Sequence, residues 1–450
     1  MSRPGILLLV LIVLAALAGR VLIHVRDTNT SDASSSSTNA DGATPGGTDP
    51  APPKPLTTTA ESGAAGAMES QLLNEAFQIS KARSLTFPEA LDFVPTSAAG
   101  IQKAWQNERN SQFPSDTLER LGLTWQLLGI LPEDEDLTAR YRLRSSLSRD
   151  VLYDAQNRSL LHTETIETKK PEPREWLTRQ LMRLLLDQNF RWREALIPAE
   201  VNLDRMLAQQ AFVTGDTTWQ TLKFTETDAV ASHAWKRTDT LTNNWPKPLR
   251  MIEFLGMRDG VHLCQAVSSQ NVALDSIYQQ LPTSTAHILH PDRYLETPRW
   301  NPQKLRWAQL DVHNSEPVWD NVIGELLIRS WLESVALPED AGLIAAGWEG
   351  DGVLLYQTTS GTPQLAWKSA WRDSSHADRF FNLVRAQAPK LFGVSIPTQQ
   401  QPKSITYEDL LSLKIQAEDN TVTIIRWTED SWKEALESLA SRSSFEKNKP

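Results

Sequence analysis

Between Asp27 and Ser70 the chain contains almost no large apolar side chain; DTNTSDASSSSTNADGATPGGTDPAPPKPLTTTAESGAAG is built mainly from Ser, Thr, Gly, Pro and Ala. Such a stretch cannot bury enough surface to offset the entropy of ordering its backbone. It reads as a flexible tether over residues 27–70, with a glycosylated stalk as the sharper alternative. The tether confines any folded core to about 380 residues, from near Glu69 to Pro450, and sets that core apart from everything before Asp27.

What precedes it is an apolar run, Gly5 to Gly19, behind Arg3. Two readings compete for residues 1–26. A secretory signal peptide would use Ala16-Leu17-Ala18 as its cleavage site. An uncleaved signal anchor would continue through Arg20 into Val21-Leu22-Ile23-His24-Val25, about 21 residues, enough to cross a bilayer. The apolar stretch that resumes after Arg20 favours the anchor, since cleaved signals usually turn polar at once. Either way the folded part is expected to be exported, with residues 5–25 contacting the membrane.

The balance of 55 acidic against 45 basic residues, without a long basic run, argues against nucleic acid as a partner. The lone cysteine, Cys264, excludes an internal disulfide and any cysteine-based zinc or iron–sulfur site.

Residues 71–450 read as one large α+β unit, helix-rich at first and with strands towards the C-terminus. Ser70–Asn110 is helical in character with Phe87-Pro88 and Pro95 as punctuation, and helical spacing marks Thr117–Leu131. Arg174–Arg193 and Val201–Lys223 are the clearest helices, and Pro248–Leu281 adds further helical material. Val151–Leu161 predicts a hairpin around Asp154-Ala155-Gln156-Asn157. Further on, Leu305–Val312 alternates and Val318–Leu332 reads as a helix. Gly352–Thr358 and Gln364–Trp371 predict paired strands. Asp373–Lys390 reads as a helix, Val422–Trp427 as a strand and Ser431–Arg442 as a closing helix.

The most informative stretch is Leu177 to Phe190. Apolar residues at Leu177, Leu181, Leu184 and Leu185 fill one helical face, while Arg179, Gln180, Arg183 and Asp187 occupy the other. Alone, this is an amphipathic helix with a solvated polar face. It resembles, however, the signature helix of an uncharacterised family of exported bacterial zinc-metallopeptidase-like proteins, roughly HELTHALQDQHF. About thirty residues on, Ala211-Phe212-Val213-Thr214-Gly215-Asp216-Thr217-Thr218 resembles that family's ALVEGDAT segment. Further blocks match in order: Leu121-Gly122-Leu123, Tyr153-Asp154, Pro282 to Thr285, Leu289 to Tyr294, Ile323 to Leu326, Ala345 to Asp351, and Trp367 to Trp371 with Ala377-Asp378 and Phe380. The resemblance covers about residues 85–440.

The resemblance implies a zincin-like helix pair, and with it a chemistry this chain has lost. Histidines at i and i+4 share a helix face and can bind one zinc, the intervening glutamate takes a proton from the zinc-bound water, and a third ligand completes the site. Here the histidine positions are Arg179 and Arg183, the base position is Gln180 and the third-ligand position is Thr214. Arginine has no lone pair to give to a metal, and a carboxamide is no general base. The expectation is a pseudopeptidase without metal or cofactor. Two guanidinium groups would stand near the former zinc position, either balanced by Asp187, Asp204 or Asp216, or facing water.

Other motifs carry less. His287 and His290 with Asp292 could suggest a metal site, yet Pro291 interrupts the helix, and loop-anchoring hydrogen bonds are the favoured role. His233, His262, His313 and His376 lack ligand spacing. Trp348-Glu349-Gly350-Asp351-Gly352 evokes a carboxylate pair, though a tight glycine turn is favoured. The sixteen tryptophans read as core and interface residues rather than sugar platforms.

The expected protein is therefore a membrane-tethered pseudopeptidase of the bacterial inner membrane, its folded part in the periplasm or outside the cell. It would bind a protein or peptide partner in the envelope. An active hydrolase using an unlocated non-metal site, and a carbohydrate-binding envelope protein, are the alternatives.

Overall fold

A fold of this length needs elements that bury their polar residues as well as their apolar ones, and two long central helices set that problem. In the computed structural model of the protein, residues 64–112, 115–139, 150–228, 231–310, 317–358 and 360–446 are described. The apolar run at 5–25, most of the segment read as a tether, and His313 lie outside them. Among the described residues no helix is long and apolar enough to cross a membrane.

The chain begins with helix α1 (Ala64–Arg83), which starts inside the stretch read as tether. Strand β1 (Phe93–Pro95) follows, then helices α2 (Ala98–Gln112) and α3 (Ser115–Leu127). The expected hairpin forms from β2 (Val151–Asp154) and β3 (Ser159–His162), and β1 adds to it in parallel. Helix α4 (Pro171–Phe190) opens with proline at its first position, where the missing N–H is no loss, and closes on Arg191 in the left-handed conformation. Helix α5 (Leu203–Thr225) opens on Asn202, whose side chain accepts the Arg205 N–H, and is buried along most of its length.

Then come α6 (His233–Thr242), α7 (Lys247–Leu255), a π-helical turn at Gly256–Gly260, α8 (Val261–Ser269) and the short α9 (Leu274–Ile277), α10 (Thr285–Leu289) and α11 (Pro291–Leu295). The π turn crosses α5 closely. A Cβ on Gly215 would collide with the Gly260 backbone, and one on Gly260 with the Ala211 carbonyl, so both positions require glycine.

The C-terminal half contains β4 (Lys304–Arg306), β5 (Trp319–Asn321), α12 (Gly324–Leu332), α13 (Pro338–Ala345), β6 (Trp348–Gln357), β7 (Pro363–Trp371) and α14 (Ser374–Phe392). It ends with β8 (Gln399–Gln401), β9 (Ser404–Tyr407), β10 (Ser412–Glu418), β11 (Thr421–Trp427), α15 (Asp430–Arg442) and β12 (Ser444–Glu446). Seven strands form one antiparallel sheet in the order β5-β6-β7-β11-β10-β9-β8, larger than the small sheet expected, while β12 pairs with β4. The fold class is α+β.

Both faces of the sheet are covered. One carries an aromatic cluster in which Phe380 of α14 stacks on Trp371, 4.4 Å between ring centroids, and meets Trp367 and Trp331. The other packs Leu354, Tyr356, Ala366, Ile425 and Trp427 against Trp432, Leu436 and Leu439 of α15. Residues of β7 are buried on both sides, which erases the alternation that normally marks an antiparallel strand.

Two expectations need correction. Val318–Leu332 is not one helix: Trp319–Asn321 pairs with β6, and α12 starts only at Gly324. The break is built in, because Gly324 has φ of 81° and a Cβ there would run into the Asp204 carboxylate. Likewise Trp348–Gly352 is part of strand β6 with a bulge between Trp348 and Gly350, not a tight turn. Gly350 is needed where the Gln303 carbonyl approaches it.

Replacing Gly215 by alanine should cost about 1–3 kcal/mol by overpacking the helix crossing. Chemical denaturation reads this directly, and an unchanged midpoint would show that the crossing can open without loss.

Candidate functional site

The four positions singled out in the sequence converge. Arg179, Gln180 and Arg183 of α4 and Thr214 of α5 line one cavity of about 320 Å³. Helical geometry explains three of them, since i, i+1 and i+4 share a broad face. Thr214 is brought alongside by the pairing of α4 with α5. The remaining wall is largely apolar, with Trp105, Val151, Trp176, Trp192, Val213 and Met257. The exposed Glu172 and less exposed Arg237, 3.5 Å apart, lie among the lining residues.

Arg179 does not face water; it is only 7% exposed. Its Nε lies 3.6 Å from the Glu175 carboxylate, one helical turn back. Glu175 also accepts the His233 and Ala234 N–H groups, at 2.8 and 3.3 Å, at the N-terminus of α6. An anion there is favoured by the exposed amides and the helix dipole. Burial pushes the Arg179 pKa down, and the Glu175 charge opposes that shift. The Arg179 Nη2 has no hydrogen-bond partner. A buried donor left in that state costs about 1–3 kcal/mol, and more when it is charged.

Gln180 takes a structural part: its Oε1 accepts the buried Tyr153 N–H at 3.0 Å, tying α4 to β2. Arg183 is half-buried, with its guanidinium carbon 5.9 Å from the Trp192 ring centroid. Thr214 packs against the π turn, where a Cβ on Gly256 would stand 2.6 Å from the threonine Cβ.

The three carboxylates expected to balance the arginine pair have other partners. Asp187 accepts the Tyr153 hydroxyl at 2.6 Å and lies 3.8 Å from Arg193 Nε. Asp216 is held by Arg83, Tyr278 and Gln220, at 3.2, 2.8 and 3.2 Å. Asp204 lies at the far end of α5, accepting the Thr285 N–H at 3.0 Å and the Thr285 hydroxyl. The carboxylate that meets Arg179 is Glu175, which the sequence reading missed. The i, i+4 spacing of a glutamate before an arginine was its available signal.

His287 and His290 do anchor loops. The His287 Nδ1 accepts the Thr283 N–H at 3.3 Å, and Nε2 donates to the Trp300 carbonyl at 2.7 Å. Burial holds its pKa down to about 4, so the ring is neutral at pH 7. The His290 Nε2 lies 2.6 Å from Glu325, which also receives Arg293 at 3.2 Å. Among the described residues no group of three or more His, Cys, Asp or Glu could hold a metal ion. Nor do Glu349 and Asp351 act as a pair. Glu349 accepts from Trp300 Nε1, whereas Asp351 accepts from the Ile323 and Gly324 N–H groups and Trp348 Nε1.

Asp204 and Asp351 are buried near each other, and desolvation raises their pKa values to about 7 and about 6. Between about pH 4 and pH 7 the native state therefore binds more protons than the unfolded chain, and stability falls as pH rises through that window. Asp204→Asn should remove its share of the slope. Relative to this variant, the natural protein should lose on the order of 2–4 kcal/mol between pH 4 and pH 8. Parallel denaturation curves at several pH values check it; an identical slope in both proteins would refute the assignment.

Residues 315–436 match the model of a domain of unknown function, DUF8575. This segment spans the C-terminal sheet from β5 to β11 and much of α15, and none of the cavity's lining residues falls within it. No curated protein and no solved structure matches the chain.

Proposed function

We propose that the protein is a membrane-tethered, extracytoplasmic binding module of the bacterial envelope, in which a peptidase-like cleft is kept for binding and its hydrolytic chemistry is gone. The supporting observation is the convergence of Arg179, Gln180, Arg183 and Thr214 on one cavity. In the family that the sequence resembles, those positions carry the two histidines, the base and the third ligand. Two arginines give no lone pair to zinc, and the Gln180 carboxamide oxygen is occupied by a backbone N–H.

A cleft stripped of its chemistry retains shape and charge, and both suit recognition. The lining combines aromatic and aliphatic side chains, three tryptophans among them, with arginines and carboxylates, the mixture by which ligand sites bury and orient what they hold. The partner is a protein or peptide of the envelope, presented to a domain that the N-terminal segment holds at the membrane.

Metal analysis of the full chain purified with added zinc should give less than about a tenth of an equivalent. The fourfold substitution Arg179→His, Gln180→Glu, Arg183→His and Thr214→Glu should raise this to about one equivalent, because all four side chains already share a wall. Stoichiometric zinc on the natural chain would overturn the pseudopeptidase reading. Peptide turnover that survives chelation would favour a hydrolase of another class.

A further inference from the structure

We infer that the cavity recognises the free carboxylate at the C-terminal end of a peptide whose last residue is aromatic or large and aliphatic, with Arg179 as the group that receives the carboxylate. The inference rests on the binding reading above and adds the chemical identity of the ligand.

Charge, shape and volume each point to it. The Arg179 guanidinium is almost wholly buried, yet Nη2 makes no hydrogen bond, and its nearest carboxylate is shared with the N-terminus of α6. A planar fork with unused donors is matched by an acceptor that has two coplanar oxygens, and a carboxylate is the peptide group that offers them. A backbone amide offers one oxygen and no charge. A terminal amine would be repelled by the Arg179 guanidinium and could not accept from it.

The walls fix the rest of the ligand. Trp105, Trp176, Trp192 and Met257 line the same space, so the group behind the carboxylate must be apolar to replace the water it displaces. Asp150, Glu172 and Glu175 also line the cavity and offset Arg179, Arg183 and Arg237, which disfavours a polyanion such as a phosphate and leaves the unused Arg179 donors as the local attraction for a carboxylate. At about 320 Å³ the space lies near the lower end of ligand sites. It has room for the end of a chain and little for a peptide threading through.

Isothermal titration of the full chain with N-acetyl-Ala-Ala-Phe and with the same peptide as its C-terminal amide tests this. The acid should bind at least about tenfold more tightly than the amide. Arg179→Gln should bring the two to within about twofold of each other. Arg179→Lys keeps the charge and loses the fork, so it should show an intermediate preference, which guards against a misfolded glutamine variant.

Equal binding of acid and amide by the natural protein would overturn the carboxylate assignment and leave the cleft-binding reading standing. Failure of both to bind would overturn the ligand class as well. Binding of 3-phenylpropionate as tight as that of the peptide acid would keep the chemistry but assign it to a free aromatic acid, overturning the chain end. The zinc measurement is independent of all three results, so loss of the pseudopeptidase reading would be recognised separately.

Discussion

Helix α5 runs through the middle of the molecule buried along most of its length, and the backbone of the π turn lies against it at Gly215 and Gly260. Much of the architecture around the cavity follows from that close approach. It brings Gly256 against Thr214 and Met257 to the cavity wall, and it lets α8 pack beside α5. Most of the polar side chains on so enclosed a helix find partners inside the protein, Gln210 Oε1 and Thr218 Oγ1 being exceptions. Gln209 accepts the Ile197 N–H, Asp216 binds Arg83 and Tyr278, and the Thr217 and Thr221 hydroxyls return to their own helix. The Gly215-Asp216 pair therefore has a structural use of its own, in the close helix crossing and in the hydrogen bonds to Arg83 and Tyr278.

The same logic applies on α4. Each buried polar group on this helix needs a partner inside the protein. Gln180 meets that demand through the Tyr153 N–H, and Asp187 through the Tyr153 hydroxyl, so one strand residue engages both. Arg179 meets it only in part. Glu175 is bound more closely by the α6 amides than by the guanidinium, which leaves Nε and Nη2 of the arginine without a hydrogen-bond partner. A buried cation held in this way costs stability. That cost is the physical reason to assign the position a ligand rather than a purely architectural role.

How far the sequence revealed this depended on whether the informative contacts were local. The helices α4 and α5, the β2–β3 hairpin and the β6–β7 pair were legible because periodicity and turn residues are short-range signals. Strands β8 and β9 were not, since they are only three and four residues long. Strand β10 does alternate, Leu413, Ile415 and Ala417 against Lys414, Gln416 and Glu418, and was a legible signal that the sequence reading missed. The split of Val318–Leu332 was hidden for a different reason: Gly324 is fixed by a carboxylate more than a hundred residues away in sequence. At the cavity, the i, i+4 face of Arg179 and Arg183 could be read, and so could the position of Thr214. Which carboxylate met Arg179 could not be settled from composition, because Asp187, Asp204 and Asp216 were each claimed by partners on distant elements.

Those distant claims also show how the cavity-bearing half and the sheet-bearing half are joined. The Asn321 side chain, at the edge strand β5, accepts the Leu203 N–H at 2.8 Å and donates to the Ala199 carbonyl at 2.7 Å. The Thr285 hydroxyl donates to Asp204 and accepts the Leu326 N–H, while Asp351 receives the two amides that open α12. Each of these groups is buried, and each would be left unsatisfied if the sheet were separated from α5. The matched family segment begins near β5, so its own edge strand carries the polar side chain that completes the start of α5. The sheet thus supports the cavity without lining it. It fixes the N-terminal end of the helix whose middle, at Val213, Thr214 and Thr217, forms one wall of the cleft.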